Sequence, residues 1–292
     1  MTWLDLPGTS TEDTRVTRYT FEHLTQYTYE EDAWDSYGTL HLQPSSNTQK
    51  LLDYDLLLKP SGHLRFHTDY FGNVAHEFHI EQQHRELVIL SRGIIEVFAQ
   101  DLPEQLCACH NYSGLLPDHL TEFLLPSQHV PAGEWTTRMD FSGPQPEQDI
   151  LQFLDALNQQ IFASIQYTPG VTDVFTSLKE FTEHKKGVCQ DYAHLMIALL
   201  REHGIAARYV SGYLYSERHA NWNGAQASHA WTEVYLPEIG WAGWDPTNGV
   251  RVQDEHIVAA VGRDYADVAP LNGVHAGGGK SDLKVEVTIR KF

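Results

Sequence analysis

Nearly every residue of the stretch 192–200 is apolar, and this run constrains the fold more than any other feature of the 292-residue chain. A helix that is apolar on all sides has to be buried, and Gly204 is the residue type favoured just past a helix end. Cys189 precedes the run and therefore falls in the first turn of the predicted helix. Unpaired backbone N–H groups and the positive end of the helix dipole favour a thiolate there. Cys189 is thus a candidate nucleophile, although many free cysteines are inert packing residues.

A predicted β-hairpin downstream supplies partners for this thiol. Residues 228–236 alternate as a strand does, which places His229 and Trp231 on one face. Residues 237–240 indicate a turn, and residues 241–245 form a second predicted strand that ends at Asp245 before a proline. The hairpin brings His229 and Asp245 close together. The register stays open, since simple pairing across a four-residue turn sets the two diagonally rather than directly opposite.

The three residues match the requirements of nucleophilic acyl transfer. That chemistry needs a sulfur, an imidazole that takes and returns its proton, and a carboxylate that fixes the imidazole tautomer and orientation. Cys189, His229 and Asp245 offer one occupant for each role. Taken singly, a histidine or an acidic residue is more often solvated or structural. The specificity therefore comes from the order of the three residues and from the elements that carry them.

At these residues the chain resembles the transglutaminase-like superfamily, and within it the bacterial transglutaminase-like proteins that are described as cysteine proteases. The matching segments are 187–194 (GVCQDYAH), 228–231 (SHAW), 234–237 (VYLP), 240–241 (GW), 244–249 (WDPTNG) and 262–270 (GRDYADVAP). The resemblance implies an α+β fold: a papain-like core in which the helix bearing the cysteine packs on an antiparallel sheet, with an N-terminal antiparallel β-sandwich-like domain. It also implies that Cys189 is the nucleophile, His229 the general base and acid, and Asp245 the residue that orients His229.

These roles predict a thioacyl intermediate formed at an amide carbonyl, with no cofactor. If water attacks the thioester, the protein is a cysteine protease or amidase, and the bacterial resemblance favours this alternative. If an amine attacks the thioester, the protein is a transglutaminase. A non-catalytic binding protein on the same scaffold is the third alternative. The backbone N–H of Cys189 is the first candidate oxyanion donor. Further candidates for oxyanion or substrate contact are Gln190, Tyr192 and Trp231, although each of them also fits a packing or solvent-exposed role.

One short segment contains three potential metal ligands but does not have the spacing of a metal site. Cys107, Cys109 and His110 lie closer together than the ligands of structural zinc sites usually do, and no second pair of ligands follows at a suitable distance. We therefore expect no bound metal.

The net charge of the chain disfavours some classes of binding partner. Twenty basic against 39 acidic residues leave a formal charge of −19, which disfavours nucleic acids and anionic membranes. We expect a peptide or protein amide as substrate, while the oligomeric state stays open. The three cysteines argue against a disulfide framework, and residues 1–7 lack the basic and apolar parts of a signal peptide. No stretch approaches about eighteen consecutive apolar residues, so a cytoplasmic location is expected.

Two styles of sequence divide the chain. Residues 1–104 are predicted to form an N-terminal β domain, with strands at 16–29, 51–58, 63–67, 74–80, 86–90 and 94–99. Residues 105–146 are rich in proline, glycine and serine and predict a connector wrapped on a domain. Residues 147–292 predict the catalytic core, with two amphipathic helices before the Cys189 helix and a closing edge strand at 283–289.

Overall fold

A computed structural model describes residues 15–45, 48–173, 176–215 and 227–292; the N-terminal residues on which the expectation of no signal peptide rests lie outside this part. Its strands are β1 (Val16–Gln43), β2 (Gln49–Lys59), β3 (His63–Thr68), β4 (Val74–Ile80), β5 (His84–Phe98), β6 (Gln166–Tyr167), β7 (Lys186–Gly187), β8 (Ala207–Leu214), β9 (Ala227–Leu236), β10 (Gly240–Asp245), β11 (Val250–Arg251), β12 (His256–Gly262), β13 (Leu271–Gly277) and β14 (Ser281–Lys291). Its α-helices are α1 (Cys109–Tyr112), α2 (Trp135–Met139), α3 (Ile150–Ser164), α4 (Leu178–His184), α5 (Cys189–Glu202) and α6 (Tyr265–Val268). Among the helices of this described part, none is long and apolar enough to span a membrane.

The long strand β1 organises the N-terminal sheet. It has 28 residues and pairs antiparallel with β5 and β14 along its first half, and with β4 and β13 along its second half. The sheet continues from β5 to β2 and from β4 to β3. One buried cluster joins Leu40 of β1, Phe78 of β4 and Ile89 of β5. The curled sheet therefore packs its two halves around a core, which gives the expected sandwich-like domain.

Two strand predictions in this sheet were too short. The strand predicted at 16–29 continues to Gln43, and the strands predicted at 86–90 and 94–99 form the single strand β5. Exposed acidic residues and a bulge near Trp34 interrupt the alternation of polar and apolar residues in the second half of β1. The sequence therefore does not indicate a strand there. Within β5, a β-carbon at Gly93 would lie 2.3 Å from the carbonyl oxygen of Asp53. This glycine therefore marks a close approach of two strands and not a strand end.

The second half of the chain forms the expected core, in which α5 packs on an antiparallel sheet. The five strands follow the order β11-β10-β9-β8-β12. Residues 191–201 of α5 are all buried, and Leu195 and Ile197 belong to a cluster that also contains Val234 of β9. Thr232 of β9 donates its hydroxyl to the carbonyl of Ala193 at 3.2 Å. Packing and this hydrogen bond together fix the start of α5 against the hairpin.

Residues of the segment 105–146 contact this core. Tyr112 of α1 donates its hydroxyl to the carbonyl of Tyr235 at 2.8 Å. Trp135 and Met139 of α2 are buried in the α5 cluster. The limits of the three segments, 1–104, 105–146 and 147–292, remain predictions.

The closing strand forms where the sequence predicted it, and it pairs with a strand of the N-terminal sheet. β14 pairs with β1 from Tyr19 to Tyr29, and β13 also pairs with β1. These strands therefore belong to the N-terminal sheet, which corrects the assignment of the closing strand to the core. Alternation predicts that a strand forms, whereas its partner depends on which sheet edge the rest of the fold leaves open.

Two side-chain amides join the N-terminal sheet to β12. Gln49 donates to the Val258 carbonyl at 2.5 Å and accepts the Val258 N–H at 3.0 Å. Asn73 makes the corresponding two bonds with Val261, each of 2.8 Å. Buried backbone groups need partners, and these amides supply them where no neighbouring strand does. The N-terminal sheet thereby holds the strand that begins at His256.

Candidate active site

Cys189 is the first residue of α5 and is partly buried. Two residues on, the carboxylate of Asp191 accepts the N–H of Val188 at 2.8 Å and the hydroxyl of Thr172 at 2.7 Å. Burial raises the pKa of Asp191, and these hydrogen bonds oppose that rise. Asp191 therefore shapes the loop and the first helical turn that present the cysteine, in agreement with an acidic residue at a helix start.

The hairpin of β9 and β10 brings His229 next to Asp245. Trp244 pairs with Thr232, so the same register continued by one residue puts Asp245 opposite Trp231, two positions from His229. Nε2 of His229 lies 2.8 Å from Oδ2 of Asp245, and both side chains are fully buried. The register that the sequence left open therefore sets the two residues diagonally, as simple pairing across a four-residue turn implies.

The carboxylate of Asp245 is surrounded by hydrogen-bond donors. Besides His229, Oδ2 accepts from Nδ2 of Asn248 at 2.7 Å and from Nε2 of His256 at 3.3 Å. Oδ1 accepts from the backbone N–H groups of Thr247 and Asn248 at 3.0 and 3.3 Å. Burial alone would raise the pKa of this carboxyl, but the charge of His229 and the hydrogen bonds hold it well below its usual range. Asp245 is therefore ionised although its side chain does not reach solvent.

The imidazole of His229 has a raised pKa although it is buried. Burial lowers its pKa, but the charge and hydrogen bond of Asp245, with smaller contributions from Cys189, outweigh burial and raise the pKa to about 10. Since Nε2 donates to Asp245, Nδ1 is the nitrogen that can exchange a proton with the thiol. Nδ1 is buried and has no hydrogen-bond partner among the described residues. The interaction with Cys189 that contributes to the raised pKa of His229 places the thiol beside the ring.

His229, Asp245 and His256 also present one potential metal-ligand atom each, all within 4.8 Å of one another. Two imidazoles and a carboxylate are a set that transition metals use. Here the same atoms bind each other, because both Nε2 atoms face Oδ2 of the ionised Asp245. A metal needs the lone pairs of unprotonated nitrogens, which donors to a carboxylate do not offer. The cluster fits a hydrogen-bonded charge system better than a metal centre.

The segment of Cys107, Cys109 and His110 serves packing. Both cysteines lie against the core cluster, and burial raises the pKa of each thiol. Nδ1 of His110 lies 2.7 Å from the carbonyl oxygen of Pro146, to which it donates. Within the ranges that the structure describes, none of the three belongs to a group of three potential metal ligands.

The weaker candidates from the sequence separate in the structure. Gln190 is partly buried and follows Cys189 directly, so it stays a candidate for contact with the substrate or the oxyanion. Tyr192 is buried in the core cluster and donates its hydroxyl to the Ile165 carbonyl at 2.9 Å. Trp231 has no exposed surface. The substrate-lining prediction is thereby corrected for Tyr192 and Trp231, because neither ring reaches a surface that a substrate could contact.

Two tyrosines beside Cys189 escaped the sequence analysis. Tyr167 lies in β6, which pairs in parallel with β7 so that it faces Gly187. Burial raises the pKa of Tyr167 to about 12, with a further contribution from the charge of Cys189. Tyr209 of β8 is buried, and the charge of Cys189 adds to the effect of burial in raising its pKa as well. No local pattern marks either residue, because its position relative to the thiol depends on how distant parts of the chain pack.

Two family profiles match the chain. The profile described as "Transglutaminase-like superfamily" matches residues 140–246, a range that contains Cys189, His229 and Asp245. The profile described as "Bacterial transglutaminase-like N-terminal region" matches residues 19–96. The second range covers most of the curled N-terminal sheet, and the first covers α5 with the hairpin.

Individual proteins are similar over different lengths. An uncharacterized protein of Mycobacterium leprae is 33% identical over 276 residues, which cover 92% of this chain and 97% of that protein. A protein-glutamine gamma-glutamyltransferase of Pseudomonas aeruginosa is 32% identical over 141 residues, 44% of this chain and 20% of that protein. The solved structure of a putative cysteine protease from Cytophaga hutchinsonii has a TM-score of 0.75 at 19% identity, covering 95% of this chain and 91% of that one. This last likeness shows a shared fold.

Proposed function

Because this chain belongs to the transglutaminase-like superfamily, we propose that it is an enzyme that transfers the acyl group of an amide through a triad of Cys189, His229 and Asp245. The observation that carries the proposal is the 2.8 Å contact between His229 and the fully buried carboxylate of Asp245. Such a carboxylate fixes the tautomer and the orientation of the imidazole and stabilises its charged form. A binding protein on the same scaffold would have no chemical need for this pair.

The reaction begins with Cys189 as a thiolate beside the imidazolium of His229. The sulfur attacks the amide carbonyl carbon, and the backbone N–H of Cys189 at the helix start binds the oxyanion that forms. His229 gives its Nδ1 proton to the leaving amine as the C–N bond breaks, which leaves a thioester and a neutral imidazole. Nδ1 then takes a proton from the acceptor, the acceptor attacks the thioester, and the thiolate is released.

The acceptor we propose is water, which makes the protein a cysteine protease or amidase acting on a peptide-like substrate. The description of the Cytophaga hutchinsonii protein as a putative cysteine protease supports this choice. An amine is the second candidate acceptor, because the similarity to the Pseudomonas aeruginosa glutamyltransferase extends over 141 residues. The formal charge of −19 favours a cationic peptide or amine in both cases.

The cellular location that we propose is the cytoplasm. The three cysteines of the chain are all free thiols, which fits a reducing compartment.

The pH dependence of iodoacetamide alkylation at Cys189 tests the activated pair. Mass spectrometry of the peptide that carries Cys189 separates its rate from those of the other two thiols. We expect a midpoint well below the value of about 8.5 that is typical of an ordinary thiol. His229→Ala should lose this reactivity at low pH, because the imidazolium that stabilises the thiolate is gone.

His203→Ala is the matched control. His203 caps the far end of α5, and a helix of 14 residues places it about 20 Å from Cys189. This variant should keep the wild-type profile. If the wild-type protein and His229→Ala both behave as ordinary thiols, the enzyme proposal is refuted and the binding protein becomes the better interpretation.

Incubation of peptide amides with and without a primary amine then separates the two acceptors. Release of a free carboxylate at a rate that does not depend on the amine concentration indicates hydrolysis. Incorporation of the amine into the peptide indicates transfer. Cys189→Ser gives the background for both measurements, since it removes the nucleophilic sulfur.

A further inference from the structure

We propose that His256 is a positioning residue of the triad, which holds the carboxylate of Asp245 in the orientation that His229 requires. The inference rests on the proposed function and extends it by one residue. It depends on the geometry around Oδ2, on the direction of two hydrogen bonds and on the strand that carries His256.

Two imidazoles meet the same carboxylate oxygen. Nε2 of His256 lies 3.3 Å from Oδ2 of Asp245, and Nε2 of His229 lies 2.8 Å from it. All three side chains are fully buried, so water does not exchange with these contacts. The ring centroids of the two histidines are 6.3 Å apart, and Trp231 packs edge-on against His256 at 5.2 Å. Oδ2 is therefore supported on a second side by a ring that is itself fixed by packing.

The hydrogen bonds assign the tautomer of His256. The backbone N–H of Gln253 lies 3.5 Å from Nδ1 of His256, and a backbone N–H can only donate. Nδ1 is thus an acceptor, and the proton of the neutral ring is on Nε2. An ionised Asp245 can only accept, which requires the same tautomer. His256 therefore donates its Nε2–H to Oδ2 of Asp245.

Contacts from the N-terminal sheet hold His256 in this place. His256 is the first residue of β12, and Asp254 in the turn before it accepts the hydroxyl of Thr17 at 2.5 Å. Two residues after His256, Gln49 binds both backbone groups of Val258. The chain is thus fixed on both sides of the ring. Through His256, the N-terminal domain gains a part in positioning the triad.

Removal of the donor should weaken the activation of Cys189. Among the described residues, Oδ2 then keeps the donors from His229 and Asn248, and the carboxylate is less restrained about its Cβ–Cγ bond. Loss of a hydrogen bond to a charged group corresponds to a change of about tenfold or somewhat more. For alkylation at pH 7 the upper limit is about 30-fold, because an ordinary thiol with a pKa of about 8.5 is about 3% ionised at that pH.

The experiment compares His256→Phe, which keeps a buried ring without the donor, with His256→Gln, which keeps an amide N–H near the position of Nε2. Iodoacetamide alkylation of Cys189 is measured between pH 5 and about 10. We expect His256→Phe to react about tenfold more slowly at pH 7 and to reach the wild-type rate at high pH, where any thiol is ionised. His256→Gln should follow the wild-type profile. A merely structural role would not move the midpoint of the profile.

His76→Phe is the matched control, because His76 is a buried histidine of the N-terminal sheet whose ring contacts Tyr54 and Phe66. It should keep the wild-type profile. A wild-type profile in His256→Phe, or equal losses in the Phe and Gln variants, would overturn the inference. An ordinary thiol already in the wild-type protein refutes the proposed function instead, and the inference with it. If urea unfolding shows that His256→Phe does not fold, His256→Asn replaces it, since its shorter amide does not reach the Nε2 position.

Discussion

Replacement of Asp245 by asparagine changes the hydrogen bonding of the triad without changing its shape. From the residues that the structure describes, the carboxylate accepts five hydrogen bonds, three on Oδ2 and two on Oδ1. An amide offers one acceptor oxygen and two donor hydrogens in the same space. If the amide oxygen takes the place of Oδ2, the NH2 group meets the backbone N–H groups of Thr247 and Asn248. If the amide is reversed, the NH2 group meets His229, which must then carry its proton on Nδ1.

The magnitude follows from these two orientations. Either one leaves at least two buried donors without an acceptor, and each such group costs about 1–3 kcal/mol. Asp245→Asn should therefore lower the free energy of unfolding by about 2–6 kcal/mol. Without the imidazolium, Cys189 should behave as an ordinary thiol, which is about 3% ionised at pH 7 and so reacts about 30-fold more slowly than a full thiolate. Acyl transfer should fall further, by roughly a thousand- to ten-thousand-fold, because the wrong tautomer of His229 also removes the base.

Alkylation of Cys189 at pH 7 and unfolding in urea measure the two effects. Asp155→Asn is the control, since Asp155 binds Nε1 of Trp244 at 2.9 Å and Nε of Arg251 at 2.8 Å beside the same hairpin, with a side chain that is 42% exposed. Exposed ion pairs contribute at most about 1 kcal/mol, so this variant should lose little stability and no reactivity. The reasoning is refuted if Asp245→Asn alkylates within about threefold of the wild-type rate at pH 7.

Two further predictions concern stability. Asp245 raises the pKa of His229 from 6.5 to about 10, so the stability that the bound proton contributes is fully present below about pH 6.5 and is lost as the pH rises through about 10. The urea midpoint should therefore fall more steeply between pH 7 and 10 in the wild type than in His229→Gln. Equal slopes in the two proteins would contradict this prediction. Gln49→Leu leaves two buried backbone groups of Val258 without partners and should cost about 2–4 kcal/mol in urea unfolding, whereas Gln82→Leu, which removes an exposed 3.3 Å bond, should cost less than about 0.5 kcal/mol. An unchanged midpoint for Gln49→Leu would show that these bonds do not hold β12.

Local patterns predicted the elements that carry the candidate site. The helix expected to begin at Cys189 and to end before Gly204 is α5, Cys189–Glu202, and the predicted hairpin differs from β9 and β10 by one residue at the start of each strand. A nearly unbroken apolar run and a clean alternation are strong local signals. The register of the hairpin stayed open at the level of sequence, and the pairing of Trp244 with Thr232 in the structure shows the diagonal relation of His229 and Asp245.

The wrong predictions concern the length of β1 and the burial of Tyr192 and Trp231. They arise where the polar/apolar alternation is weak or where burial depends on distant parts of the chain. The second half of β1 carries exposed acidic residues and a bulge, so its sequence does not look like a strand. The surroundings of Tyr192 and Trp231 depend on which face of the helix or strand the rest of the chain covers. Closeness in sequence to Cys189 or His229 therefore does not show that an aromatic residue lines the site, because packing buries both rings.

The sequence by itself determined which chemical groups stand at a helix start and on the two strands of one hairpin, since those relations extend over few residues and follow from backbone geometry. The tertiary structure alone decided the environment that gives these groups their charge. His256 reaches Asp245 through the pairing of β12 with β8, and Gln49 reaches β12 from 209 residues away in the chain. Such contacts are selected by the packing free energy of the whole chain, for which no short segment carries a signal.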